Sequence, residues 1–367
     1  MNDQNKLKED LDKLRKQINE LDDEIVELLN KRGNIAIQIG SIKEKLNLKV
    51  FQPQREKEVI DRIKKKASIL KSASIEAIWK EIMSASKLIQ GSITKIGYLG
   101  PKGTFTHQAA LDFFPKAGSE FINFVNSSEV FENIEKGTID YGVIPIENSL
   151  QGTVRETLDL LIEKNLIIYG EIELRIVQNL ITLQNSDLSK IKTVFSHPQA
   201  FAQTNIWIKT NLPNVELVNV NSTAEAVRKV NELQDETCAA IGTEFSSKVY
   251  DVKVLNTNIE DNPLNFTRFL IISKKENEQK DGKIKTSVVF VTKHTPGALY
   301  RALKLYAEAN INLLKIESRP RRKGRWEYIF LMDFEGDKDD PQVNAVLDKM
   351  SDNVIWYKLL GSYPMAN

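Results

Sequence analysis

Twelve positions spaced alternately four and three residues apart run from Leu7 to Leu46. Eleven are aliphatic, namely Leu7, Leu11, Leu14, Ile18, Leu21, Ile25, Leu28, Ile35, Ile39, Ile42 and Leu46, and Arg32 takes the remaining place. A strict 3.5-residue repeat of this length permits little besides a long helix, about 60 Å at about 1.5 Å per residue, packed along its stripe against another helix. Gly33 and Gly40 each weaken such a helix by roughly 1 kcal/mol relative to Ala. Arg32 is either a register-setting polar residue in the seam or a binding cation.

Geometry favours asking about the second role. Arg32 and Lys43 are close to three whole turns apart and project from one face, with about 16 Å between their backbones. Arg15 lies about 26 Å before Arg32 along the axis, too far to reach the same small ligand from the same helix. Two copies pairing antiparallel about the stripe centre, however, set Arg15 of one chain level with a point between Arg32 and Lys43 of the other. The pattern therefore predicts a symmetric dimer with two cationic pockets, each suited to a small dianion that arginine holds bidentately. Pro53 suits the first turn of a second helix carrying Gln54, Arg55 and Glu56, and Ser86 and Gln90 share a face of a third helix from near Ser74. Singly, these polar residues read as solvated surface.

Together, LRKQINELDDEIVELLNKRGNIAIQIGSIK, QREKEV and SASKLIQ resemble the all-helical chorismate mutase family over nearly all of residues 6–91. The resemblance implies that Arg15 of a partner chain, Arg32, Lys43 and Arg55 hold the two carboxylates and the ether oxygen of chorismate. It places Glu56 on the ring hydroxyl, with Ser86 and Gln90 completing the pocket. Gln52 stands where the family often has Asp, keeping hydrogen-bonding capacity without the charge. The implied reaction is a one-step pericyclic rearrangement to prephenate, needing no nucleophile or base. It is helped by holding the compact conformer and stabilising charge on the breaking ether oxygen, for which Lys43 and Gln90 are the expected catalytic groups.

The chain's 367 residues predict two or three domains. Residues 1–92 hold 2 of 28 aromatics, 1 of 11 prolines and 3 of 17 glycines, as an all-helical segment should. Lys plus Arg is 51 against 50 acidic residues, which gives no charge excess for nucleic acid or an anionic membrane. One cysteine, Cys238, and three histidines leave no disulfide framework or metal site in prospect. No apolar signal core or span of about 18 apolar residues occurs. A cytoplasmic protein working without metal or cofactor is expected.

From residue 93 short apolar runs alternate with helix-like stretches, predicting an α/β domain with a largely parallel sheet over 93–273. Its polar clusters fall at strand ends, where such domains place ligands. Thr104 and Thr106 follow the loop GPKGTF, where Thr106 also reads as an ordinary N-cap. Glu147, Asn148, Ser149 and Thr153 lie in PIENSLQGTV, and Ser196, His197, Gln199 and Gln203 in VFSHPQAFAQ. Thr267 and Arg268 lie in NFTRFLI. GPKGTF is neither a Walker A nor a GxGxxG loop, and His197 before Pro198 reads as a helix cap. These segments, in this order, resemble prephenate dehydratase, a two-lobed fold like type II periplasmic binding proteins. The resemblance implies that Thr267 is catalytic, polarising the leaving hydroxyl or relaying a proton, while the other loops bind prephenate in the interlobe cleft. Arg268 is either a carboxylate ligand or half of a salt bridge across the cleft.

Residues 274–285 include KKENEQKDGK, which has no apolar side chain and reads as a linker. Over 286–367 the order strand, helix, strand, strand, helix, strand predicts a ferredoxin-like fold. Gly297, Ala298 and Leu299, with Pro296 suited to a first helical turn, and then Glu317, Ser318, Arg319 and Pro320 resemble the ACT domain fused to prephenate dehydratases. That resemblance implies L-phenylalanine bound by these residues at a subunit interface, with feedback inhibition. The basic run 319–325 reads as a solvated strand connection. The whole chain thus resembles a bifunctional, phenylalanine-regulated mutase and dehydratase. The competing reading is a non-catalytic amino-acid sensor whose helical segment only dimerises; a variant of the first keeps the dehydratase with a mutase weakened by Gln52, or takes arogenate in place of prephenate.

Overall fold

The computed structural model describes residues 2–46, 53–91, 93–278, 282–320 and 328–366, with the side chains at 2–5, 44, 53–55 and 57 outside that description. Gln52 and the basic residues 321–325 thus lie outside the described residues. The chain forms two compact units, residues 1–94 with 115–120 and residues 95–114 with 121–367.

The first unit is built from α1 (Asn2–Lys45), α2 (Pro53–Lys64) and α3 (Ser72–Ile89). The 44-residue α1 confirms the long helix, and α3 packs against both others. The two glycines inside α1 are explained by that packing. A Cβ on Gly40 would lie 3.0 Å from Cγ of Gln90, and one on Gly33 3.5 Å from Ile89, so their helix-weakening cost admits the end of α3. The eleven aliphatic stripe residues face away from this packing and are all exposed, from Leu7 at 68 % to Leu46 at 62 %.

The second unit begins with β1 (Thr94–Leu99), α4 (Phe105–Phe113), β2 (Ser119–Phe124), α5 (Ser127–Lys136), β3 (Tyr141–Asn148), β4 (Gly152–Thr153), α6 (Arg155–Glu163) and β5 (Ile167–Arg175). The chain then crosses to a second lobe: β6 (Asn179–Thr182), β7 (Thr193–Ser196), α7 (Pro198–Gln203), α8 (Asn205–Asn211), β8 (Glu216–Asn219), α9 (Thr223–Leu233), β9 (Cys238–Gly242), α10 (Glu244–Val249) and β10 (Lys253–Asn256). It returns as β11 (Phe266–Ser273). The first-lobe sheet has the order β2-β1-β3-β11-β5, with β4 paired to β3, and the second has β10-β6-β9-β7-β8.

Both sheets are mixed, which corrects the expectation of a largely parallel one. β1 runs parallel to β3 and β7 to β8 and β9, but β11 is antiparallel to both neighbours and β6 to both of its own. The cause is the double crossing between lobes, which brings β11 back in the opposite direction between β3 and β5. The crossings lie side by side: the Ile176 amide donates to the Asn265 carbonyl at 2.8 Å, that of Ile259 to the Gln178 carbonyl at 2.9 Å, and Arg175 pairs with Glu260 at 2.9 Å.

The C-terminal region has the predicted order: β12 (Ile284–Val291), α11 (Ala298–Glu308), β13 (Leu313–Pro320), β14 (Tyr328–Glu335), α12 (Pro341–Asn353) and β15 (Trp356–Pro364), in the sheet β13-β14-β12-β15. It has no solvated gap from the lobe before it. Val289, Val291, Ile329, Leu331 and Leu360 share one buried core with α5, α6, Leu270 and Ile272. Gly361, at φ +149°, lets β15 lie on β5, since a Cβ there would fall 2.5 Å from the Ile168 carbonyl oxygen. Part of the expected linker is docked as well: Asn277 is buried and donates to the Tyr169 carbonyl at 3.0 Å.

Candidate active sites and the regulatory face

In the helical unit Arg32 hydrogen-bonds from Nη1 to the Ser86 hydroxyl, which itself donates to the Ile82 carbonyl at 2.7 Å. Burial pushes the Arg32 pKa below its ordinary value. Both side chains line a cavity of ≈ 550 Å³ between α1 and α3. Gln90 caps α3 beside Gly40, and Lys43, one turn further along α1, shares that face. Glu56 on α2 is paired with Lys87 at 3.1 Å, and Arg15 is exposed and pairs with Asp12 at 3.4 Å. Arg55 lies on α2 with its side chain undescribed. One chain therefore brings together Arg32 with Ser86 and Gly40 with Gln90, while Arg15 stays at the far end of α1.

The dehydratase-like site is organised by β11. Its residues alternate: Phe269 and Ile271 enter the core shared with Tyr98 and the α4 residues Ala109 and Ala110, while Leu270 and Ile272 enter the core shared with α5, α6 and the C-terminal sheet. Thr267 thus belongs to the α4 face and Arg268 to the opposite one. Thr267 stands directly opposite Asn148 of β3, whose Nδ2 donates to Thr267 Oγ1 at 2.9 Å. The orientation of that amide is fixed, because Asn148 Oδ1 already accepts the amides of Leu150 at 3.1 Å and Gln151 at 3.2 Å. The Thr267 oxygen is therefore an acceptor in this bond, and its own proton is left to be donated elsewhere. Ser149 braces the same end of β11, donating to the Leu264 carbonyl and accepting from the Phe266 amide at 2.9 Å.

Arg268 is not a cleft group. Its Nε donates to Glu171 at 2.6 Å, its Nη1 to Asp333 at 2.7 Å and its Nη2 to the Tyr363 hydroxyl at 3.0 Å. Lys285 completes the cluster on Glu171 at 2.8 Å. Burial works to lower the Arg268 pKa, but Tyr363, Asp333 and Glu171 outweigh it and hold it above the usual value. The salt bridge expected across the cleft runs instead to Glu171 and to Asp333 of the C-terminal sheet.

At the start of α4 the cap is Thr104, which accepts from the His107 amide at 3.2 Å and donates to the Leu99 carbonyl at 3.0 Å. Thr106, expected as an ordinary cap, is buried in the first turn of α4, two residues beyond the cap. In the second lobe His197 caps α7 by accepting the Gln199 amide at 3.2 Å. Gln199 is half-buried, Gln203 accepts from Gln178 at 3.1 Å, and Ser196 is fully buried, donating to the Ile241 carbonyl at 2.9 Å.

His107 was not singled out from sequence. It stacks on Tyr98 with centroids 4.5 Å apart and meets Phe245 of the second lobe edge-on at 5.2 Å. Its Nδ1 accepts from the Gly103 amide at 3.1 Å. Burial, and then the Lys102 charge, push its pKa down to about 4, so it is a neutral Nε2–H tautomer. Nearby, Tyr250 of the second lobe donates to the Lys102 carbonyl at 2.7 Å. The four-residue spacing from Gly103 to His107 was the available signal.

On the C-terminal sheet the expected effector residues divide in two. Gly297, Ala298 and Leu299 line a cavity of ≈ 470 Å³ with Tyr328 and Phe330. Gly297 sits at φ +74° ahead of α11, which places Pro296 before the helix rather than in its first turn. On β13, Ser318 and Pro320 are exposed, whereas Glu317 and Arg319 turn to the first lobe. Glu317 bonds the Thr153 hydroxyl, and Arg319 pairs with Asp159 at 2.7 Å and donates to the Arg155 carbonyl at 3.2 Å. Lys315 reaches Glu147 at 2.7 Å and Thr153 at 3.0 Å. Glu147, expected in the cleft, therefore faces β13, back to back with Asn148.

Three family models match the chain: chorismate mutase type II over residues 14–91, prephenate dehydratase over 96–277 and the ACT domain over 286–352. The bifunctional chorismate mutase/prephenate dehydratase of Aquifex aeolicus is 40% identical over 363 residues, 98% of this chain and 99% of that one. That of Pseudomonas aeruginosa is 36% identical over 374 residues, 100% of both. Among solved structures, the prephenate dehydratase of Arthrobacter aurescens in complex with L-Phe has a TM-score of 0.68 at 33% identity, covering 74% of this chain and 90% of that one. GqqA, described as a novel type of quorum quenching acylase, has a TM-score of 0.66 at 27% identity, covering 74% and 98%.

Proposed function

The chain belongs to the bifunctional chorismate mutase/prephenate dehydratase family, and on that footing we propose how its residues divide the work. It rearranges chorismate to prephenate, converts prephenate to phenylpyruvate in phenylalanine biosynthesis, and is feedback-inhibited by L-phenylalanine through its ACT domain. The assigned regions are 1–92 for the mutase, 93–273 for the dehydratase, 274–285 for the connector and 286–367 for the ACT domain. The setting is the cytoplasm.

The mutase works as a homodimer. The exposed aliphatic stripe of α1 is a continuous apolar face about 60 Å long, more than a soluble monomer leaves to water. An antiparallel second copy covers it and brings Arg15 level with the Arg32 cavity. Arg15, Arg32, Arg55 and Lys43 then bind the carboxylates and ether oxygen. Glu56, leaving Lys87, takes the ring hydroxyl, and Gln52, Ser86 and Gln90 close the site. Lys43 and Gln90 stabilise the charge on the breaking ether oxygen.

In the dehydratase, the Thr267 hydroxyl hydrogen-bonds the departing hydroxyl of prephenate, polarising it or relaying a proton to it. The ring carboxylate leaves as carbon dioxide, its bonding electrons aromatise the ring, and the hydroxyl departs as water with one proton taken up. The observation that carries this role is the Asn148 bond, which makes the Thr267 oxygen an acceptor and frees its proton. Thr104, Thr106, Asn148, Ser149, Ser196, Gln199 and Gln203 shape the cleft. Glu147 and Arg268 support it from the rear, and L-phenylalanine binds at Gly297, Ala298, Leu299 and β13.

The test follows chorismate in the ultraviolet with the full-length protein, with and without L-phenylalanine. The wild type should form phenylpyruvate and slow when the effector is added, and Thr267→Ala should stop at prephenate. Wild-type phenylpyruvate formation by Thr267→Ala would remove Thr267 from the chemistry.

A further inference from the structure

We propose that Asn265 is a positioning residue of the dehydratase, fixing through Asn148 the direction in which the Thr267 hydroxyl donates; the inference rests on the role given to Thr267 above. Asn265 immediately precedes β11 and is 1% exposed. Its Oδ1 accepts from Asn148 Nδ2 at 2.7 Å, the shortest of the three contacts that this amide nitrogen makes. Because the Leu150 and Gln151 amides occupy Asn148 Oδ1, the Asn148 nitrogen must face Asn265 and Thr267. Asn265 must in turn present its oxygen. Among the described residues its own Nδ2 then has no hydrogen-bond partner, although it is buried.

An unpaired buried amide donor costs about 1–3 kcal/mol, and buried polar groups left unsatisfied are uncommon enough to need a reason. Stability gives none, because an apolar side chain of similar size would avoid the cost. Position does. Asn148 has two N–H bonds and three acceptors in reach: Asn265 Oδ1, the Phe266 carbonyl at 3.2 Å and Thr267 Oγ1. Asn265 holds one N–H, which leaves the other for Thr267. Without that anchor the second N–H can turn to the Phe266 carbonyl. The Thr267 hydroxyl then loses its incoming donor and is free to rotate its proton away from the substrate. Asn265 acts on the chemical step through Asn148, and removing it should lower kcat with little change in KM.

The experiment measures dehydratase kcat and KM on prephenate for full-length Asn265→Ala, Asn265→Asp and Thr267→Ala at pH 8. Asn265→Ala should lose about tenfold or more in kcat with KM within about threefold. Asn265→Asp keeps the acceptor oxygen and should recover kcat to within about fivefold of wild type, a rescue that a purely structural role does not provide. Wild-type kcat in Asn265→Ala, a rise in KM alone, or an Asn265→Asp no faster than Asn265→Ala would each overturn the proposal. If Thr267→Ala is inactive while Asn265→Ala is normal, only the role of Asn265 falls; if Thr267→Ala is active, the underlying assignment falls.

Discussion

Arg268 donates from Nη1 to Asp333 Oδ2 at 2.7 Å, so the strand that carries Thr267 is tied by its next residue to the middle of the ACT sheet. Arg268 is held between Glu171 of its own lobe and Asp333 of the C-terminal sheet, with Lys285 of β12 also on Glu171 and Glu147 3.7 Å from the same Nη1. Removing one member of a buried pair leaves a charge uncompensated and costs about 3–5 kcal/mol. Asp333→Ala should therefore lower the stability of the second unit by about that amount and depress dehydratase turnover, although Asp333 lies in the regulatory domain. Denaturant titration beside mutase and dehydratase rates checks this. Unchanged dehydratase stability and rate would mean that Arg268 is satisfied from its own domain.

Such ties explain what was and was not legible in the sequence. The α1 stripe and the strand and helix order of the ACT region rest on local periodicity, and both appear as expected. Alternation along a strand also guarantees that neighbours face opposite ways, but it does not say which neighbour faces the cleft. Glu147 and Asn148 form one such pair, and Thr267 and Arg268 another. In each, the partner that decides the matter is far away in the chain: Lys315 for Glu147 and Asp333 for Arg268. Charge composition made 274–285 look like a free linker, and only the shared core beneath it shows why the two domains do not separate. Gly40 is likewise explained by Gln90, fifty residues further along.

Feedback should pass through β13, because Glu317 and Arg319 bond Thr153, Asp159 and the Arg155 carbonyl, and Thr153 pairs with the strand that ends in Asn148. Thr153→Val removes the hydroxyl that Glu317 and Lys315 share. The uninhibited dehydratase rate should stay near wild type, while the L-phenylalanine needed for half-inhibition rises by about fivefold or more, a coupling loss of about 1 kcal/mol. Inhibition curves for the two proteins decide it. Superimposable curves would place the coupling elsewhere.

His107 makes the dehydratase unit sensitive to acid. Its native pKa is pushed down to about 4 by burial and by Lys102, against about 6.5 in an unfolded chain. Between those values the unfolded state binds more protons. The contribution is therefore fully present above about pH 6.5 and is lost as the pH falls towards 4, by about 1–3 kcal/mol. His107→Gln does not titrate, so its stability should fall less steeply than that of wild type across this window. Denaturant midpoints at several pH values measure the difference, and parallel curves would show that His107 takes up its proton without cost.

The dimer reading makes a numerical prediction about mixed chains. In the antiparallel pairing each mutase site takes Arg32 from one chain and Arg15 from the other. A dimer of one Arg15→Ala chain with one Arg32→Ala chain then holds one site lacking both arginines and one site lacking neither. Random exchange makes about half of all dimers mixed, each with one intact site of two, so an equimolar mixture of two inactive variants should regain about a quarter of wild-type mutase activity. The exchange is followed by refolding the two variants together and assaying chorismate loss. If both arginines served a site within their own chain, no mixture would recover activity, and the exposed stripe of α1 would need another explanation.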